Sequence, residues 1–185
     1  MISVGAFVEG LVIVVASVAT IMSSNVASTR SDYLPVLAAI DSKTATSDLS
    51  IQPIYQHGEF IGNLAIPRLR KSVLVYQGTD SQTLRKGAGH YINSVMPGVT
   101  DNSVIAGHRD SVFKDFGRLK RGDLLIVTIS GSQYTYKIKS LRIVDAEDRT
   151  VIVPTTKATL TLSTCYPFRY IGSAPDRFIV TALLI

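Results

Sequence analysis

An all-β domain that closes, or nearly closes, into a barrel is what this chain predicts from Gly58 onward. Three observations carry that reading: short runs rich in Val, Ile, Leu, Thr and Tyr, a turn signal between successive runs, and few windows of helical period. In order, the runs are Glu59–Ile66, Ser72–Tyr76, Ser103–Ala106, Asp123–Ile129, Gln133–Val144, Thr159–Thr164 and Arg177–Leu184. Pro67, Gly78-Thr79-Asp80, Pro97-Gly98 and Arg121-Gly122-Asp123 punctuate them, and Ser130-Gly131-Ser132 joins two runs closely enough to be a hairpin. Seven or eight short strands with little helix between them suit a barrel better than a doubly wound sheet. One run changes parity. Tyr134, Tyr136 and Ile138 share a face, whereas Leu141 and Ile143 fall on the other, so a β-bulge near Ser140 is expected to restore the pattern and bend the strand.

The composition excludes several alternatives. With 46% hydrophobic and 18% charged residues, the 185-residue chain is neither a disordered tail, a coiled coil nor a collagen-like fibre. Cys165 is the single cysteine, which rules out an internal disulfide framework and a Cys-cluster zinc site, and three histidines do not suggest a His-rich metal cage. The net charge of +5 comes without a run of five like charges, which suits a surface near anionic polymers and not a nucleic-acid reader.

Residues 1–29 differ from the rest. They hold no Lys or Arg and one acid, Glu9, and sixteen of the first 22 residues are apolar. A helix over that stretch rises about 33 Å, one hydrocarbon thickness, so a membrane anchor is the leading expectation. Against it, Glu9 would cost about 2.5–3.5 kcal/mol at mid-depth. The uncharged core Leu11–Met22 is 12 residues, and the first basic residue, Arg30, follows the stretch with none before it. A cleaved signal (with Val26-Ala27-Ser28 as a poor site) and a buried or interfacial helix are the alternatives. Residues 23–57 are polar and small apart from an apolar island at Tyr33–Ile40, and read as a linker. The expected division is therefore an anchor or signal-like segment at 1–29, a linker at 30–57 and the barrel at 58–185.

Candidate chemistry centres on Cys165, which ends the run Thr159–Cys165. Alternation sets Leu160, Leu162 and Thr164 on one face and Thr161, Ser163 and Cys165 on the other, so the thiol does not share the face of the core leucines. A lone cysteine is most often a buried structural one; this one stands at a strand end, on the polar face. Of the histidines, His57 borders the linker and reads as solvated. His90 lies in Gly87-Ala88-Gly89-His90-Tyr91, read as a tight loop, where a structural hydrogen bond is the expectation. His108 follows the strand Ser103–Ala106 and a glycine, the placement of a proton carrier open to a groove. A neighbouring imidazolium would raise the thiolate fraction of a cysteine. Attack by a thiolate on an amide also needs a group to steady the oxyanion. Arg177 opens its strand twelve residues after Cys165, within reach if the two strands pair. Arg169 is the rival, in the loop Tyr166–Asp176 without a rigid strand to aim it. From the residues alone, the favoured reading of Arg177 is half of a surface ion pair with Asp176 or Asp110.

Taken together, Thr161-Leu162-Ser163-Thr164-Cys165, the histidine in Ile105-Ala106-Gly107-His108-Arg109, and an arginine just before Phe178-Ile179-Val180 resemble the sortase family of cysteine transpeptidases. Ile61–Pro67, Val75–Asp80 and Leu84–Tyr91 extend the resemblance in the family's usual order across residues 58–185, and the tail Thr164–Pro175 is most similar to the class D branch. The resemblance implies a closed eight-stranded sortase-type β-barrel with short helices, preceded by an N-terminal hydrophobic helix that tethers an extracytoplasmic domain to a Gram-positive-type cell membrane. It implies cleavage of a Leu-Pro-x-Thr-Gly or Leu-Pro-x-Thr-Ala signal after Thr, a thioacyl enzyme, and transfer to an amine. Cys165 would be the nucleophile, His108 the general acid/base and Arg177 the group that positions substrate and steadies the oxyanion, with His90 structural. Thr164, Tyr166 and Arg169, around the thiol, are the candidates for substrate contact. The implied partners are surface proteins bearing a C-terminal sorting signal, peptidoglycan or its lipid-linked precursor as acceptor, and the membrane; no nucleic acid and no cofactor is expected.

The chain departs from the family pattern in lacking the basic flank before the hydrophobic helix. Residues 30–57 also contain no Asp-Pro-aromatic plug, which disfavours a pilin polymerase. Asp145, Glu147 and Asp148 resemble the acids of a class A calcium site but read as a solvated turn, so no required metal is expected. A Cys165–His108 hydrolase of the same signal, and a non-catalytic wall-binding module, are the alternatives.

Overall fold

A computed structural model describes residues 54–185. The hydrophobic helix expected near the N-terminus and most of the linker lie outside these residues, and among the described residues no helix is long and apolar enough to cross a membrane. Period-two burial builds the strands. In Lys71–Gln77, for example, Val73, Val75 and Gln77 are buried, whereas the alternating Ser72 and Leu74 are exposed and Tyr76 is half-buried.

Eight strands result: β1 (Phe60–Ile66), β2 (Lys71–Gln77), β3 (Ala88–His90), β4 (Asp101–Ala106), β5 (Leu124–Ile129), β6 (Ser132–Asp145), β7 (Ala158–Tyr166) and β8 (Asp176–Leu184). They close into a barrel in the order β1-β2-β3-β4-β7-β8-β6-β5. Closure falls between β5 and β1, which pair antiparallel from Gly62↔Ile129 to Ala65↔Ile126. Two of the pairings, β2 with β3 and β4 with β7, are parallel and require crossovers. The first crossover is a short helix, α1 (Ser81–Lys86), capped by the Asp80 carboxylate, which accepts from the Gln82 and Thr83 amides at 2.9 and 3.2 Å. The second crossover is the entire β5–β6 hairpin with its flanking loops.

The expected barrel, the hairpin and the bulge are all present. Ser130 and Gly131, both at positive φ (49° and 79°), form the two-residue turn between β5 and β6, the mirror-image type whose twist matches that of the strands. In β6, Ile138 pairs with Ala182 and Ser140 with Thr181, so Lys139 is the extra residue. That one insertion lets Ile138 and, opposite Val180, Leu141 both turn toward the core. Ile143 remains half exposed, beyond the edge of the apolar interior.

The reading of Gly87–Tyr91 as a loop requires correction. Ala88–His90 is the strand β3, between β2 and β4. Three residues are too few to show a period, and the strand contains a glycine for a packing reason: a Cβ at Gly89 would lie 2.1 Å from the Gly78 carbonyl oxygen.

Leu64, Val75, Ile105, Val127, Leu160 and Val180 fill the interior with no exposed surface. From the β4–β5 connection, Phe113 and Phe116 enter the same core, stacked with ring centroids 4.1 Å apart. Tyr136 is fully buried and spends its hydroxyl on the Gly98 amide, from which it accepts at 2.7 Å.

Deletion of Lys139 should cost at least about 2 kcal/mol, because Leu141 and Arg142 then exchange faces or β6 slips by one residue. Lys139→Ala should remain within about 0.5 kcal/mol of the parent. Urea unfolding of the two variants tests this, and equal stabilities would refute the account of the bulge.

Candidate active site

The candidate residues are brought together by strand register. Along the parallel β4–β7 ladder the pairs run from Asp101↔Ala158 to Ala106↔Ser163, a constant offset of 57 in residue number. The ladder continues one residue beyond β4, where the Gly107 amide donates to the Ser163 carbonyl at 3.1 Å and the Gly107 carbonyl accepts from the Thr164 hydroxyl at 2.7 Å. Extended two residues past the last pair, the same offset would set His108 opposite Cys165. On the other side of β7, Cys165 is the register partner of Arg177 in antiparallel β8. Thiol and guanidinium thus come from one row of adjacent strands about 4.8 Å apart, and the imidazole from the segment that leaves β4 beside them.

Parity sets which way they face. Thr164 and its partner Phe178 are buried inward, whereas Ser163 and Cys165 are half-exposed on the outer face, level with Ala106. His108 and Arg177 are half-exposed as well. His108 is held by its backbone: its carbonyl accepts from the Phe113 amide at 3.0 Å as the chain turns away from β4. Gly107 permits that turn, since a Cβ there would lie 2.7 Å from the Phe113 ring.

The other two histidines have different surroundings. His57 is largely exposed, with Nε2 2.9 Å from the Asp80 carboxylate, so its expected solvation is shared with that contact. His90 is buried, with Nδ1 2.8 Å from the Gln77 side-chain amide and Nε2 3.0 Å from the Val95 carbonyl. Burial lowers its pKa below the usual 6.5, so the ring is neutral at pH 7. Both of these partners, Gln77 Oε1 and the Val95 carbonyl, are acceptors, and a neutral ring donates its one N–H to one of them. It crosslinks β2, β3 and the loop before β4, the structural role expected of it.

Arg177 makes no ion pair among the described residues. Its Nη1 donates to the Ala174 and Asp176 carbonyls at 3.1 and 2.9 Å. These contacts aim the guanidinium without neutralising it, and they leave Nε and Nη2 unengaged within the described residues.

Of the three residues expected to touch substrate, two have their side chains occupied. Thr164 is buried and its hydroxyl is given to Gly107. The Tyr166 ring packs edge-on against Phe168, with centroids 5.4 Å apart, and stacks over Phe178 at 6.4 Å. Arg169 is exposed. Its loop is not unsupported, because Arg109 straps it down: the guanidinium donates to Pro167, Tyr170 and Gly172 carbonyls at 3.2, 2.8 and 3.2 Å. Sequence reasoning passed over Arg109. Its only signal was its place directly after a strand-end histidine, where a long multi-donor side chain can reach the segment beyond the neighbouring strand.

The acids Asp145 and Asp148 cap local turns, accepting from the amides of Glu147 and Thr150 at 2.8 and 2.7 Å. Among the described residues no three His, Cys, Asp or Glu side chains converge.

A strand-end thiol flanked by an imidazole and an unneutralised guanidinium has the parts of a cysteine acyl-transfer enzyme. The comparisons with known proteins agree. The Sortase domain model matches residues 64–185. Sortase D of Bacillus subtilis is 39% identical over 137 residues, which span 74% of this chain and 68% of that one. Sortase A of Listeria monocytogenes is 30% identical over 115 residues, 60% of this chain and 51% of that relative. A solved structure of a Clostridium perfringens Sortase D5 transpeptidase superposes with a TM-score of 0.65 at 28% identity, covering 71% of this chain and 82% of that one. The chain belongs to the sortase family, with class D among its similar relatives. It is accordingly a cysteine transpeptidase of the kind that attaches surface proteins to the cell wall.

Two predictions follow from the geometry. Since the pKa of His90 is lowered in the folded state, its contribution to stability is full above about pH 6.5 and is lost as pH falls below that value, by at most about 1.4 kcal/mol per unit. Urea unfolding between pH 7.5 and 5 should show this slope, and His90→Asn should flatten it whatever its own stability. Second, Thr164→Val leaves the Gly107 carbonyl without its donor, which should cost about 1–3 kcal/mol. It should also lower kcat for transpeptidation with little change in KM, and Thr164→Ser should restore the rate. A Val variant with unchanged kcat would reduce the contact to a purely structural one.

Proposed function

We propose that this sortase cleaves a Leu-Pro-x-Thr-Gly or Leu-Pro-x-Thr-Ala sorting signal after Thr and transfers the acyl group, through a Cys165 thioester, to an amine of the cell wall. The observation that supports the reading is that Cys165 pairs with Arg177 across β7 and β8, while His108 follows β4 two residues after its last pair with β7, Ala106↔Ser163. The small residues Ala106 and Ser163, half-exposed beside the thiol, give an extended peptide a floor on which its scissile carbonyl can approach the sulfur.

In the forward half-reaction the Cys165 thiolate attacks the Thr carbonyl carbon. The C–S bond forms, the carbonyl oxygen takes the negative charge, and the unengaged Nε–H and Nη2–H donors of Arg177 steady it. Collapse of this intermediate breaks the C–N bond as His108 protonates the departing amine. In the second half-reaction the acceptor amine attacks the thioester, His108 takes its proton, and the C–S bond breaks to return the thiolate. Peptidoglycan or its lipid-linked precursor supplies the amine. Residues 1–29 tether the enzyme to the membrane, residues 30–57 serve as the linker, and the catalytic domain from about residue 58 lies outside the cytoplasm.

Mass spectrometry after incubation with a signal peptide and an amine tests the reading. A thioester adduct plus an amide product is expected; free acid alone would make the enzyme a hydrolase, and no adduct would refute the proposal. Cys165→Ala should abolish the adduct, and His108→Ala should slow turnover by about 10²–10⁴-fold, while His57→Ala stays close to the parent. Arg177→Ala should slow single-turnover acylation by about 10²–10³-fold, with Arg177→Lys a poor substitute because an ammonium lacks the planar fork. Should Arg169→Ala acylate more slowly than Arg177→Lys, the two arginine roles must be exchanged.

A further inference from the structure

A hollow of about 380 Å³ lies between the segment that leaves His108 and the segment that leaves Cys165. Arg109, Asp110, Lys114 and Arg118 line one wall, and Phe168 and Arg169 line the other. The walls meet at Gly117, where a Cβ would lie 3.0 Å from the Phe168 ring. Each wall therefore begins within a few residues of one member of the candidate pair.

The charge of this hollow is unbalanced. Asp115 at its rim is taken by Lys71 at 3.5 Å, and Arg109 is committed to the carbonyls of the opposite loop. Among the described residues Lys114, Arg118 and Arg169 form no ion pair, and Asp110 is the single lining carboxylate left unpaired. Three cations against one acid draw an oxyanion. They also disfavour the ammonium form of an amine held beside them, which is the form that cannot attack a thioester.

We propose that this hollow is an anion subsite for the amine acceptor: carboxylate or phosphate oxygens carried by the acceptor dock among Lys114, Arg118 and Arg169 and present its neutral amine to the Cys165 thioester. The proposal rests on the transpeptidase reading above. The amine nitrogen forms the new C–N bond, the C–S bond breaks, and the amine proton passes to His108, so the subsite positions the acceptor without joining the chemistry.

The test compares two acceptors with closely matched amines, Gly-Gly and Gly-Gly-amide, at constant ionic strength, using the full-length chain loaded with a signal peptide. Transfer to Gly-Gly should be favoured by about tenfold in kcat/KM, the size of one well-placed charged contact. The Lys114→Glu/Arg118→Glu double variant should lose that preference, whereas Lys139→Glu, a charge reversal on β6, should keep it. Inorganic pyrophosphate probes the phosphate source. Competition with the amine but not with the signal peptide, together with amide shifts at Lys114–Arg118 in NMR spectra, assigns the hollow to phosphate if the Gly-Gly preference is missing. Equal use of both acceptors with no effect of pyrophosphate overturns the subsite while thioester formation stands. If no thioester forms, the transpeptidase reading fails, and the subsite is then judged by the pyrophosphate shifts alone: saturable shifts that the double variant loses support it, and their absence overturns it.

Discussion

Parallel pairing of β4 with β7 in one unbroken register is the constraint on which the rest of this molecule depends. Two parallel neighbours cannot be joined by a tight turn, so the chain between them must travel away and return. It uses that length to build the β5–β6 hairpin, which closes the barrel against β1 and supplies the neighbour of β8. The same ladder ends two residues before His108 and Cys165, directing both to one end of the sheet, and the antiparallel β7–β8 pairing sets Arg177 on the far side of the thiol. Barrel closure and site assembly are consequences of one set of backbone hydrogen bonds. A slip of one residue between β4 and β7 would turn the leucines outward and separate the thiol from the imidazole together.

Side chains then tie down what the ladder leaves loose. Both strands end near the site, and strand ends fray unless something holds them. Thr164 crosses from β7 to Gly107 and fixes the backbone immediately before His108. Arg109, immediately after His108, crosses in the opposite direction and holds the loop that follows Cys165. His108 is thus bracketed by two crosslinks to the segment that carries the thiol. Arg177 is held by carbonyls of its own loop, a means of orienting a guanidinium that keeps its full positive charge available.

The three histidines show how surroundings divide one chemical group among different tasks. His57 is exposed against a carboxylate, His90 is buried and neutral in a crosslink, and His108 is half-exposed just past the end of β4. Only the last combines access with a place near the candidate nucleophile, which makes its backbone address more informative than its residue type.

The sequence by itself determined the barrel class, the hairpin at Ser130-Gly131, the bulge beside Ser140 and the face on which Cys165 lies. All of these are local consequences of period-two burial and turn chemistry, written in neighbouring residues. It also singled out Cys165, His108 and Arg177, because each stands at the end of a recognisable strand. What it missed is non-local. Strand β3 is too short to show a period and is held by partners on both sides. Arg109 acts on carbonyls some sixty positions away, and the hydroxyl of Thr164 could be assigned to Gly107 only once β4 was known to be its neighbour. The cationic hollow is likewise invisible along the chain, since Arg118 and Arg169 meet across it only after β4 and β7 have paired. Period and turn propensity act between adjacent residues, whereas these contacts depend on which strands become neighbours, and that is fixed by closing the barrel.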